Sequence, residues 1–108
     1  MFYKLDGDKN VVPATMKEFS EKLFKKYRVV KQETYKGVYI STVFLGFSHS
    51  FDLNKPGLFF ETMIFDTKEN LDARFAEKDL EYQERCDTWE EALKMHETAK
   101  KYIDNLGV

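Results

Sequence analysis

The chain has 108 residues, a length that fits one domain with a core needing neither metals nor disulfides. Ten Phe, six Tyr and one Trp are more aromatic surface than a core of this size requires, so they predict an interface and a homo-oligomer. A net charge of −2 argues against a surface that tracks long nucleic acid, and the lone Cys86 excludes an internal disulfide or a Cys-based zinc motif.

Residues 2–5 read as a short strand, followed by a turn at Gly7-Asp8. Thr15-Met16-Lys17-Glu18 has the form of a capping box, and Met16, Phe19, Leu23 and Tyr27 recur at helical spacing, predicting a helix from Met16 to Lys26. The segment from Tyr27 to Tyr35 reads as a strand that turns at Lys36-Gly37 into an apolar run from Val38 to Gly46. A polar loop from Phe47 to Gly57, longer than a tight hairpin needs, then leads to a second apolar run, Leu58 to Asp66. Residues 67–79 are highly charged and read as a surface excursion with a helical turn around Leu71 to Phe75. Leu80 to Arg85 reads as a last strand. Thr88-Trp89-Glu90-Glu91 repeats the capping-box form before an amphipathic helix carrying Trp89, Ala92, Leu93, His96, Ala99, Ile103 and Leu106 on one face, with Gly107 as its cap. The expected fold class is α+β, an antiparallel sheet of four to five strands packed with two helices as a single domain over 1–108.

Charge is uneven along the chain: residues 1–54 hold nine basic and six acidic side chains, residues 55–108 eight and thirteen. The basic excess gathers at Lys22, Lys25, Lys26, Arg28 and Lys31, where the end of the first helix suits positive charge. The start, Met1-Phe2-Tyr3-Lys4-Leu5-Asp6, lacks the apolar stretch of a secretion signal, and no run approaches membrane-spanning length, so the expectation is a cytoplasmic protein with no membrane partner.

Five residues are candidate ligand contacts. Glu61 falls between Phe59 and Met63 on one strand face, where a carboxylate needs compensation, and Arg85 is its candidate partner through a bidentate bond. His96 sits on the apolar side of the last helix, either as a hydrogen-bonded core residue or as the wall of a pocket. His49 lies among hydroxyls and rings in Gly46-Phe47-Ser48-His49-Ser50-Phe51. Trp89 either anchors the last helix on the sheet or stacks on a planar ligand. Convergence of His49, Glu61 and His96 would imitate a two-His, one-carboxylate metal set, but no short ligand spacing supports a metal, and no cofactor motif is present. No nucleophile elbow or Gly-rich phosphate loop accompanies Ser41, Ser48, Ser50 or Cys86, so catalysis is not the expectation.

The residues Ser41-Thr42-Val43-Phe44-Leu45-Gly46 with His49 and Phe51, then Leu58 with Phe60-Glu61-Thr62-Met63-Ile64-Phe65, then Arg85, Thr88, Glu90-Glu91-Ala92 and His96 form three blocks. In these blocks the chain resembles a family of small phage and prophage proteins, departing from it at Cys86 and at Lys55-Pro56-Gly57. The resemblance implies a phage accessory protein in the cytoplasm of a bacterial host, of a kind that counters host defence. Two expectations follow: a non-enzymatic protein that binds or sequesters a small ligand such as a nucleotide signal through His49, Glu61, Arg85, Trp89 and His96, or a protein-binding inhibitor or structural accessory acting through exposed aromatics. A small hydrolase or isomerase using Glu61 and a histidine ranks third.

Overall fold

The structure, a computed structural model, describes residues 1–23, 28–52, 54–65 and 82–105. The expected turn around Leu71 to Phe75, the strand ends at Tyr27 and Leu80, the basic side chains of Lys22, Lys25 and Lys26, and the cap at Gly107 fall outside the described residues.

Among those residues the order is β1 (Phe2–Leu5), β2 (Val11–Ala14), α1 (Met16–Leu23), β3 (Val29–Tyr35), β4 (Val38–Phe44), β5 (Phe60–Phe65), β6 (Gln83–Cys86) and α2 (Trp89–Asn105). The fold is α+β, with a two-stranded sheet β1-β2 and a four-stranded antiparallel sheet in the order β3-β4-β5-β6. The second helix lies across all four strands of the larger sheet, whereas α1 packs on the β1-β2 hairpin. Each helix therefore has its own sheet rather than sharing one.

Both helix starts follow from local chemistry. Thr15 Oγ1 accepts the Glu18 N–H while Glu18 accepts the Thr15 N–H, and Thr88 and Glu91 repeat the exchange. The β3-β4 turn is equally local: Lys36 and Gly37 have φ of 51° and 81°, the paired left-handed conformation that a two-residue hairpin requires. Strand β2, by contrast, has little to announce it, being four residues long and carrying Pro13, which lacks an N–H for the ladder and is tolerated on an edge strand.

The two apolar runs are shorter as strands than their sequences suggest. Strand β4 stops at Phe44, because Gly46 turns with φ 84° and its carbonyl accepts the Tyr3 N–H at 2.8 Å, tying the small hairpin to the larger sheet. Strand β5 begins at Phe60, because Leu58 takes a left-handed φ of 58°. Asp87 Oδ1 accepts the Leu58 N–H at 2.5 Å and holds that corner. Gly57 fits there for want of a side chain, since a Cβ would come within 2.6 Å of the same carboxylate.

The core under α2 has two apolar clusters. Leu5, Phe44, Phe59, Phe60, Ala92 and Met95 form one; Val38, Ile40, Ile64, Ala99 and Ile103 form the other. Strand alternation places Thr42 between Ile40 and Phe44 and Thr62 between Phe60 and Ile64, on the same face. His96 meets them from α2, so a buried polar layer divides the apolar core.

Candidate functional site

The pairing of β5 with β6 sets Glu61 directly opposite Arg85 on the sheet face turned away from α2. Arg85 Nε donates to Glu61 Oε2 at 3.0 Å, and Gln83 Nε2 donates to the same oxygen at 2.7 Å. The anticipated ion pair is present, through one guanidinium bond rather than two, with Gln83 as the second donor. The Glu61 side chain keeps 14% exposure, so this carboxylate is compensated and only partly enclosed.

His49 comes to the same neighbourhood on the loop between β4 and β5. Its backbone N–H donates to the Gly57 carbonyl at 3.1 Å, its ring packs on Phe47 with centroids 4.7 Å apart, and its Nε2 is buried with no hydrogen-bond partner among the described residues. Desolvation pushes the ring's pKa down, and the positive charge of Arg85 adds to the shift while Glu61 opposes it. A neutral imidazole with one unused nitrogen thus stands within electrostatic reach of a guanidinium. Three of the five sequence candidates share this region.

His96 is elsewhere. Thr42 and Thr62 face α2, so the Glu61 side chain and the His96 ring lie on opposite faces of β5. Glu33, held at about 2, can only accept. His96 Nε2, 2.8 Å from Glu33 Oε2, therefore carries the ring proton. Burial keeps the His96 pKa low despite the opposing pull of Glu33, so the ring is neutral and Nδ1 accepts. The Thr42 hydroxyl then donates to Nδ1 at 2.7 Å, and Thr62 donates to Thr42 Oγ1 at 2.5 Å. Desolvation is the largest influence on Glu33 and would raise its pKa, but hydrogen bonds from His96, Lys100 and Lys31 outweigh it. The chain runs from one central strand to solvent with every link occupied.

Thr42, His96 and Glu33 have the connectivity of nucleophile, base and orienting acid. Thr42 nevertheless has no exposed surface, and its oxygen is enclosed between Thr62 and the ring, so no substrate reaches it. The arrangement is that of a satisfied core histidine. Glu33, His96 and Glu97 also bring ligand atoms within 4.8 Å of one another, a set distinct from His49, Glu61 and His96, which the sheet keeps apart. Lys31 lies 3.3 Å from Glu33 and 3.4 Å from Glu97, and Lys100 lies 3.1 Å and 3.7 Å from the same two carboxylates. A cation would have to displace both ammonium groups.

Trp89 packs edge-on against Phe60, with centroids 6.3 Å apart and planes at 81°, and Lys9 Nζ sits 4.9 Å from its centroid. It anchors the start of α2 on the sheet and is remote from the inner histidine network. Cys86 is partly buried and desolvation pushes its thiol up to about 12, so it carries no thiolate at neutral pH.

The loop itself is the feature that sequence reasoning saw only in outline. Ser48 Oγ donates to the Gly57 carbonyl at 2.8 Å and accepts the N–H groups of Gly57 and Ser50. Ser50 Oγ accepts the Asp52 N–H at 3.2 Å, and Asp52 Oδ1 accepts the Asn54 N–H at 2.9 Å. Three successive side chains at 48, 50 and 52 thus each hold the backbone two residues on. On this scaffold Phe51 is fully exposed, with Phe47, Met16 and Met1 also exposed. Its neighbours Ser50 and Asp52, with Met1, Tyr3, Phe47, Ser48 and Pro56, line an open depression of about 360 Å³. The signal in the sequence was the alternation Ser48, Ser50, Asp52 around Phe51, a run of short acceptors spaced by two.

Comparison of the chain with family models, curated proteins and solved structures finds no match. Among the described residues no helix is long and apolar enough to cross a membrane.

Proposed function

We propose that this chain is a non-enzymatic binding protein that docks on another protein through the 47–57 loop. The observation that carries this reading is Phe51, a fully exposed aromatic held on a loop whose own side chains fix its backbone. Exposing a phenyl ring to water is unfavourable, and rigid aromatic anchors concentrate binding energy because little entropy is lost when they dock. This fits the expectation of a phage accessory protein that blocks a host factor, with anti-defence activity as its role. The test is affinity capture from host lysate with the natural chain and with Phe51→Ala, quantified for each retained protein. A stoichiometric partner of the natural chain that Phe51→Ala retains at roughly thirtyfold lower affinity is the expected result, the loss typical of an aromatic hot spot. Equal retention by both chains overturns the reading. Sedimentation at rising concentration identifies a second copy of the chain as the partner, the homo-oligomer expected from the aromatic content.

A second reading, a small polar or nucleotide ligand beside His49, Glu61 and Arg85, is favoured by one observation: the buried, unpartnered Nε2 of His49 next to the Arg85 charge. His96 has no part in it, because its hydrogen bonds are internal, and Trp89 lines a different depression together with Lys9. Native mass spectrometry of protein purified from signal-producing cells tests it. A clean apo mass, with no thermal shift across a nucleotide panel, removes it.

A further inference from the structure

We propose that β3 is the contact through which two copies of this chain pair, the two strands running antiparallel about a two-fold axis at Gln32, so that the four-stranded sheets of both copies join edge to edge. The inference stands apart from the loop docking above and does not rest on it.

An unpaired strand edge is a template for another strand, and among the described residues the two sheets have four such flanks. Three are blunted. Strand β1 is tied to the larger sheet through the Tyr3 N–H and the Phe2–Phe47 bridge, β2 carries Pro13, and β6 is only four residues long. Strand β3 runs for seven residues without a proline, and its one irregularity lies between Val29 and Lys31, so that residues 31–35 are regular.

The hairpin register decides which of its backbone groups are free. Across a two-residue turn Tyr35 and Val38 exchange both of their hydrogen bonds, and by alternation so do Glu33 with Ile40 and Lys31 with Thr42. The N–H and C=O groups of Gln32 and Thr34 therefore point away from β4, and no described strand lies on that side to receive them.

The order of charges along β3 selects a second copy as the occupant. With the axis at Gln32, the two Gln32 residues form a hydrogen-bonded pair, and Lys31 of each copy stands directly opposite Glu33 of the other. These flanking pairs are of the non-hydrogen-bonded kind, with Cα atoms about 4.5 Å apart and side chains at their closest. Opposite charges so placed stabilise a strand pair, and like charges destabilise it. Moving the axis to Lys31 or to Glu33 sets two ammonium groups or two carboxylates face to face; moving it to Thr34 leaves both charges without an opposite. Lys31 keeps 43% and Glu33 26% of its side chain exposed, so both reach the seam from the α2 face of the sheet. A lysine on an edge strand guards against indiscriminate pairing. Here the same lysine rejects the wrong registers and completes the right one, and the two-fold contact closes on itself.

The test follows the full chain by sedimentation equilibrium and by amide hydrogen exchange at rising concentration. The expected result is a monomer–dimer equilibrium in which the Gln32 and Thr34 amides become protected as the dimer fills, while those of Lys31 and Glu33, bonded to β4, are protected throughout. Gln32→Pro deletes an N–H that the β3-β4 ladder does not use, at the cost of the surface bond from Gln32 to Ser41, so the amide spectrum of the rest of the sheet is retained. Its dimer dissociation constant should rise at least about thirtyfold, the scale of the two central bonds lost. Lys31→Glu sets like charges opposite each other twice and should weaken the dimer roughly tenfold. A chain that is monomeric at every concentration, a dimer whose Gln32 and Thr34 amides stay unprotected, or a dimer that Gln32→Pro leaves intact overturns the proposal. A dimer lost with Phe51→Ala and kept with Gln32→Pro places the second copy at the 47–57 loop and overturns it likewise. A dimer kept with Phe51→Ala and lost with Gln32→Pro supports it, whatever the loop binds.

Discussion

The polar layer beneath α2 and the loop at 47–57 invert the usual distribution of side chains in opposite ways. Around His96 polar groups are inside, and each bond in the line from Thr62 through Thr42 and His96 to Glu33 is made. At the loop apolar groups are outside, with Phe51 and Phe47 on a backbone that the Ser48 and Ser50 hydroxyls brace. A buried polar group and an exposed large apolar one are both anomalies, but only the second leaves something unfinished. The interior histidine is explained by its neighbours; the exposed ring has none to account for it and is the residue on which the proposed docking rests.

The largest effect comes from breaking the inner region. His96→Ala removes a wholly buried ring, strands the Thr42 hydroxyl and takes one of three donors from Glu33, so urea unfolding should show a loss of about 3–5 kcal/mol. Thr42→Val keeps the volume but removes the link between Thr62 and Nδ1, and should cost about 1–3 kcal/mol in the same assay.

Acidification probes the same line. The folded His96 ring resists the proton that the unfolded chain accepts near 6.5, so stability is unaffected above that value and falls as pH drops below it. Glu33, lowered from 4.5 to about 2, contributes stability that is full above 4.5 and is lost as pH falls through the interval to about 2. Unfolding free energy measured against pH should therefore decline in two stages, and His96→Gln should shrink the upper stage to the part that the desolvated His49 ring contributes.

The outer region should respond in the other order. Ser48→Ala deletes three hydrogen bonds that fix the loop, with an expected stability loss of about 1 kcal/mol and weaker partner capture. Phe51→Ala should change stability by less than about 0.5 kcal/mol, since the ring is fully exposed, while causing the greater loss of capture. A large destabilisation by Phe51→Ala would collapse the distinction between the two regions.

What the sequence determined by itself was whatever depends on residues close together in the chain. Both capping boxes, the Lys36-Gly37 turn, the two central strands and the α+β class follow from spacing and propensity over a few positions. The Glu61–Arg85 pair was legible because a carboxylate among apolar neighbours demands a cation, and few basic residues were placed to supply one. Strand β2 was not, since four residues with a proline give no period to read. Nor was the partition of the five candidate residues, which depends on which face of β5 each side chain meets.

Only the tertiary structure brought Glu33, Thr42 and Thr62 to His96, across separations of 63 and 54 residues for the two bonds the ring makes. It also left Phe51 outside while Phe44 and Phe60 went in, although all three are the same residue in similar company. The reason is that burial is a property of the packed assembly of elements. Local rules fix which way a side chain leaves the backbone, but whether it finds a helix, a strand or water there is decided by everything else that folds around it.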